Sequence, residues 1–439
     1  MILSDIHITR ELLRAVARGE LSERALAQIQ THHLESLCPF CRREIRAWQE
    51  EQTSVPGPAY LLQTLPAVLE RHAPELEARL REAERDCEDL LALPREQRLS
   101  RIDRARSRFR GPFLAERLIQ ESRRRTLADP GEARELAELA RAVVHRSPAS
   151  PESANLAALA TAALGNACRA AGDLRRADEQ FRNLRYLILH EGVTAARVLG
   201  EIDHLEGSLR KDQRRFQEAE ALLTRAAMLF RISGDSSGTA RALFTMGATF
   251  FQERLLDRAI QVTETALERL SPDEEPHLYL NGRHNLALYL AEAGRYEQAA
   301  GLVAADVDLY RRFPEPWTQL RLTWLRGKIA AGLGEVRDAE RLFQETRDGF
   351  LRQGIGYDAA MVSLDLTLLY LKEGRTAEVQ RLAEAMVAAF ETQQVHREAL
   401  AALLLFQEAA GREEVTAGLV RELAAYLASA RSNPELRFR

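Results

Sequence analysis

Lysine is nearly missing from this chain. Its 439 residues hold three lysines, Lys211, Lys328 and Lys372, against 58 arginines. Such a bias reads first as a coding preference of the source genome, and it weakens any argument that an arginine cluster was selected to bind something. Cysteine is scarce too. Four in so long a chain exclude a disulfide framework and leave metal binding or core packing. Fifteen prolines and 24 glycines leave no room for a long low-complexity tract. No apolar run approaches membrane-spanning length, and the first ten residues carry charges where a signal peptide would have an apolar core. These absences point to a cytoplasmic protein. A net charge of −4 disfavours bulk nucleic-acid binding. No phosphate-binding loop, dinucleotide glycine fingerprint, H-E-x-x-H or G-x-S-x-G is present, so an enzyme is not expected.

What is present is a period. GDLRRADEQF, RRFQEAEALL, RLLDRAIQVT, GRYEQAAGLV, GEVRDAERLF and GRTAEVQRLA place a marker at Ala177, Ala219, Ala259, Ala299, Ala339 and Val379, at steps of 42, 40, 40, 40 and 40. Twelve residues before each marker stands a second residue, small in five of six copies: Gly165, Gly207, Gly247, Ala287, Gly327 and, as the exception, Thr367. Antiparallel helices cross closely only where such side chains lie. Ala133 continues the phase weakly toward the N-terminus. Leu419 does so toward the C-terminus, where a capping pair is expected. In this phase Cys168 occupies a large buried position and reads as a core thiol.

The pattern in ALGNACRAAGDLRRADEQF and NLALYLAEAGRYEQAAGLV resembles the tetratricopeptide repeat over about residues 155–430. The period exceeds the usual 34, which predicts longer helices or loops in the second half of each repeat. The resemblance implies an all-α fold, a right-handed α-solenoid of about six to seven helix pairs, that binds another protein. Known arrays of this kind hold extended segments with the first helix of each pair. That implies groove positions here at Asn166, Arg169, His204, Lys211, Arg241, Phe244, Phe251, Asn281, His284, Arg321, Trp324 and Lys328. All three lysines, counting Lys372, fall at such positions; opposing acids are Glu201, Asp212 and Glu292. A positive groove with aromatic anchors suits an acidic segment or a C-terminal carboxylate.

The stretch THHLESLCPFCRREIRAWQ (31–49) differs. Pro39 between Cys38 and Cys41 suits a helix start, whose positive dipole end favours thiolate, a good zinc ligand. The stretch resembles the zinc-binding anti-sigma motif, H-x3-C-x2-C with a further histidine upstream, although one extra residue separates His33 from Cys38. The resemblance implies a structural Zn2+ held by His33, Cys38, Cys41 and His7, with His32 as the alternative. A redox dithiol and chance packing are the competing readings.

Three segments follow: a zinc-binding helical head (1–52), an arginine-rich helical connector (53–150) that could include a degenerate first repeat, and the repeat array with capping helices (151–439). In the connector, residues 101–125 hold nine arginines against three acids, read as a solvated or salt-bridged face. The expected function is a protein-interaction scaffold or adaptor in transcriptional or signalling control, of the bacterial kind that the anti-sigma likeness implies. Two alternatives stand beside it. One is a peptide or small-ligand sensor with the head as output; the other is a nucleic-acid-binding regulator working through residues 101–125.

Overall fold

The computed structural model describes residues 77–105, 108–148, 151–191, 193, 195–392, 397–430, 433 and 436–438. The zinc candidates His7, His32, His33, Cys38 and Cys41 lie outside the described residues. Among the described residues every regular element is an α-helix. In chain order they are α1 (77–91), α2 (Arg95–Arg104), α3 (Pro112–Arg125), α4 (Pro130–His145), α5 (Pro151–Ala170), α6 (Leu174–Glu191), α7 (Ala196–Asp212), α8 (Phe216–Ile232) and α9 (Ser236–Gln252). There follow α10 (Leu256–Leu267), α11 (Pro276–Glu292), α12 (Tyr296–Ala305), α13 (Val307–Arg311), α14 (Pro316–Leu333), α15 (Val336–Arg352), α16 (Gly356–Lys372), α17 (Thr376–Thr392), α18 (Arg397–Gly411) and α19 (Ala417–Ala430). The chain divides into two compact units. One comprises Met1–Leu209 with Glu218–Ala242, the other Arg210–Gln217 with Leu243–Arg439.

The sequence punctuates these helices plainly. Proline begins α3, α4, α5, α11 and α14, where its missing N–H goes unneeded. Asp129 caps α4 by accepting from the Glu132 amide at 2.8 Å. In the step that holds α15 and α16, two 17-residue helices and two short turns at 353–355 and 373–375 make up the 40 residues. In the two steps before it the second helix is short with a long loop after it (α10, then 268–275) or divided (α12 and α13).

Within each pair the turn closes the same way. Gly172, Arg214, Arg254, Gly294, Gly334 and Gly374 all have left-handed φ, from 59° to 83°. In each case the next amide bonds back to a carbonyl five residues earlier, as from Arg295 to Leu290 (2.9 Å) and from Leu255 to Phe250 (2.8 Å). Glu413, with φ 57°, makes a seventh such turn through Glu414 to Ala409, where no glycine marks it.

The pairs cross where the small residues lie. A Cβ on Gly165 would come within 2.8 Å of the Phe181 ring; on Gly207, 2.8 Å from Leu223; on Gly247, 2.7 Å from Thr263; on Gly327, 2.8 Å from Phe343. The partner is always sixteen residues on. At the two remaining copies volume is exchanged: Ala287 stands opposite Val303 in register, and Thr367 opposite Ala383, all four buried. Thr367 is thus no failure of the pattern, because its partner position holds the smallest side chain of the six. In the first unit, buried Ser122 on α3 donates to the Ala133 carbonyl at 2.7 Å, so the weak phase at Ala133 marks an earlier pair, α3 with α4.

The last pair departs from the repeat. Helix α18 packs on α17, but α19 packs mainly on α16 and only lightly on α18. Val420, Leu423, Tyr426 and Leu427 thereby join the same core as Leu364 and Leu366. Leu419 itself is half-buried.

Two glycine replacements separate crowding from backbone strain. Gly294 has φ +76° with nothing near its would-be Cβ, so Gly294→Ala should lose about 1 kcal/mol through backbone conformation alone. Gly327→Ala should lose more, because the Phe343 ring must move. Equal denaturation midpoints for the two variants would contradict the crossing.

Candidate ligand-binding face

The first helices of successive pairs carry the expected groove residues, and each unit holds its own set. In the first unit the Arg169 guanidinium donates to Asn166 at 2.9 Å. Buried Glu201 receives Arg123 at 3.2 Å and Arg241 at 3.1 Å. Burial opposes its charge, yet Arg123 and Arg241 hold its carboxyl well below the usual range. Beside it, burial pushes His204 down to about 4 with help from the neighbouring arginines, so its imidazole is neutral near pH 7.

In the second unit, Lys211 pairs with Asp212 at 2.8 Å. Phe244 is buried against Gly282 and serves packing. Phe251, partly exposed, stacks on Tyr289 with ring centroids 4.9 Å apart. Four helices then contribute one charged row. Arg254, at the left-handed turn after α9, reaches Glu292 on α11 at 3.4 Å. Lys328 on α14 donates to Glu292 and to Asp365 on α16, 3.0 Å each. The Trp324 indole donates to Asp365 at 2.6 Å. Burial disfavours the Lys328 charge, but Asp365 and Glu292 outweigh it and hold its pKa above the ordinary lysine value. Lys328, expected as a groove cation, is occupied by the fold.

Arg321 is different. It lies two turns before Lys328 on α14 and is half-buried, and burial pulls its pKa below the ordinary value. Its hydrogen-bond acceptors are the side-chain oxygens of Asn281 and Asn285, both at 3.4 Å, beyond the usual range for a firm bond. Among the described residues no carboxylate stands within ion-pair distance of it, although Asp358 on α16 attracts it from farther off. Nearby, buried His284 joins its Nδ1 to the Tyr310 hydroxyl at 2.9 Å. Burial, then Arg321, push the His284 pKa well down, and burial pushes Tyr289 and Tyr310 up. All three therefore stay neutral around the guanidinium.

Sequence reasoning named Arg321 and Asn281 but missed Asn285, Tyr289, Asp365 and Arg254. Two signals were there to find. Asp365 is the one charged residue in a register that it shares with Leu205, Thr245, Asn285, Leu325 and Leu405. Arg254 takes a left-handed turn position where four of the six copies use glycine. In the connector, Arg108, Arg117, Arg123, Arg124 and Arg125 all form ion pairs with acids, as a salt-bridged face requires. Cys87 and Cys168 are buried thiols, and burial raises Cys87 to about 11 and Cys168 in the same direction. No helix among the described residues is long and apolar enough to cross a membrane.

The architecture is that of an all-α helical-repeat protein. The chain is similar to a Rap protein solved in complex with competence and sporulation factor, at 12% identity and TM-score 0.55, over 73% of this chain and 89% of that one. It is also similar to RapI in its apo form, at 12% identity and TM-score 0.52, over 72% and 87%. At such identities the likeness is one of fold. No protein-family model and no curated protein matches the chain.

The two cations on α14 should respond oppositely to removal. Lys328→Met takes the shared cation from two half-buried carboxylates and should cost about 3 kcal/mol. Arg321→Met removes a half-buried charge with no acid in ion-pair contact and should leave stability unchanged or raise it by about 1 kcal/mol. Urea denaturation of both variants checks this, and a large loss in Arg321→Met would mean that the guanidinium is already compensated.

Proposed function

We propose that this chain is a regulatory binding protein that takes a segment of another protein, or a peptide, on the first-helix face of its second unit. A carboxylate of that segment, side-chain or C-terminal, pairs with Arg321. The observation that carries this reading is a half-buried guanidinium whose hydrogen-bond acceptors are two amide oxygens at 3.4 Å, with no carboxylate in ion-pair contact among the described residues. A cation partly taken out of water gains from an acid in direct contact, and a ligand carboxylate supplies it with charge-assisted, bidentate bonds. Partly exposed Phe251, stacked on Tyr289, and Trp324 offer ring surface beside it. The Rap protein complexed with competence and sporulation factor supports the idea that an array of this fold holds a second molecule.

A second reading, a peptide or small-ligand sensor with the N-terminal head as its output, draws on the same observation. The unsatisfied group is one side chain, a target of the size that a short peptide or a small carboxylate can fill. In both readings the chain acts in the cytoplasm by binding rather than catalysis. For the N-terminal stretch we keep the structural Zn2+ on His33, Cys38, Cys41 and His7 as a proposal. Metal analysis of the purified full chain should find one zinc per chain, lost in Cys38→Ser/Cys41→Ser; zinc far below one per chain removes it.

The binding test uses immobilised full chain and a pool of random hexapeptides with free C-terminal carboxylates. Peptides retained by the wild type should bind Arg321→Gln at least about thirtyfold more weakly, the ~2 kcal/mol typical of removing one partner of a desolvated charge pair. Amidated peptides, and pools without Asp and Glu, separate the two carboxylate sources. Affinity should be flat between pH 6 and 8, since Arg321 stays charged and His284 neutral across that window. Equal retention by wild type and Arg321→Gln would overturn the proposal.

A further inference from the structure

Arg321 and Trp324 stand three residues apart on α14, neighbours on one helix face with Cβ atoms about 5–6 Å apart. Their tips part from there. The guanidinium leans to α11, where Asn281 and Asn285 accept from it. The indole N–H points to Asp365 on α16, at 2.6 Å. In the second unit, the copies of the Trp324 position that keep the repeat packing are Phe244, His284 and Leu364. All three are buried, whereas Trp324 is half-buried. Its ring is also fixed in place. It meets the buried Phe350 ring edge-on, with centroids 6.1 Å apart, and the Lys328 Nζ lies 5.8 Å from its centroid. Asp365 accepts from both the indole and Lys328. A tryptophan left partly open where the repeat buries its residue, and an acid in a register otherwise uncharged, are thus bonded to each other.

We propose that Asp365 is a positioning residue that sets the Trp324 ring as a wall beside Arg321, so that the ligand of this face carries a bulky apolar or aromatic side chain within two residues of its carboxylate. The proposal rests on the binding reading above and names the ligand class for it. Side chains two residues apart in an extended chain share a face at about 7 Å, comparable to the Cβ spacing of Arg321 and Trp324. A C-terminal residue covers the same step with its own carboxylate and side chain. The open part of the indole supplies apolar area, and ring packing adds to it where the incoming group is aromatic. A ring free to turn would offer the same area to many ligands. One fixed by Asp365 and Phe350 offers it in one place.

The test starts from hexapeptides retained by the immobilised full chain. Bulky apolar residues should be enriched, over the starting pool, within two positions of an acid or of the C-terminus; amidated peptides tell the two carboxylate sources apart. One retained peptide is then made with leucine and with glycine at the apolar position, and the ratio of the two affinities is the readout. The wild type should favour leucine about tenfold. Trp324→Leu and Asp365→Leu place there the residue that the repeat uses at Leu364 and Leu325, and each should lower the ratio to about threefold or less. In a Trp324→Phe background, which keeps a ring without the N–H, Asp365→Leu should have no further effect, whereas general damage to the fold would act in both backgrounds. Trp317, one turn before Arg321, leans on the same Phe350 ring at 5.6 Å, and Trp317→Leu should leave the ratio in place. No enrichment, an unchanged ratio in Trp324→Leu, a loss in Trp317→Leu instead, or an equal effect of Asp365→Leu in both backgrounds overturns the proposal. Arg321→Gln should weaken both peptides alike, so failure of the binding reading shows separately, as equal retention by wild type and Arg321→Gln. No retained peptide at all overturns both.

Discussion

Paired helices approach one another closely at one position that recurs in each 40-residue step, and the rest of the molecule follows from that contact. Gly165, Gly207, Gly247 and Gly327 let Phe181, Leu223, Thr263 and Phe343 lie against helix backbone. Where the small residue grows to alanine or threonine, the residue opposite shrinks to valine or alanine. At Ala287 with Val303 and Thr367 with Ala383 volume moves from one helix to the other, as a close-packed interior demands. Left-handed turns then send the chain back at a constant place, so equivalent positions of successive first helices lie side by side.

That regularity makes an ionic row possible. Residues 36 to 38 apart in sequence become neighbours, and Arg254, Glu292, Lys328 and Asp365 join four pairs in one line. Buried ion pairs of this kind add little net stability relative to apolar side chains, but they are costly to break. Their value here lies in where they leave charge. Arg254 and Lys328 are matched there, while Arg321 sits among neutral Tyr289, Tyr310 and His284 with two amide oxygens as acceptors and Asp358 beyond ion-pair distance. A half-buried cation without a carboxylate in contact favours an anionic ligand.

Much of this was legible in the sequence. The markers, the small residues at the crossings and the all-α fold can be read directly, because a repeat writes its contacts at a fixed interval; Arg321 and Asn281 came, with the other groove positions, from the likeness to known arrays. The misreading of Lys328 has a physical cause. Within its own helix it looks like a lone cation, and its two acids lie a full repeat away on either side. Phe244 looked like an exposed anchor, yet Gly282 gives its ring a place to bury. The seventh turn, at Glu413, and the packing of α19 on α16 escaped because the pattern there no longer uses glycine or keeps its phase.

Arg321 is the residue on which the functional account stands, and a structure of the full chain bound to a peptide that it retains examines it most directly. The account predicts a ligand carboxylate within hydrogen-bond distance of the Arg321 guanidinium, with the Lys328 bonds to Glu292 and Asp365 intact. A ligand seated with its carboxylate on Lys328, or one that leaves Arg321 without an anion, would contradict it.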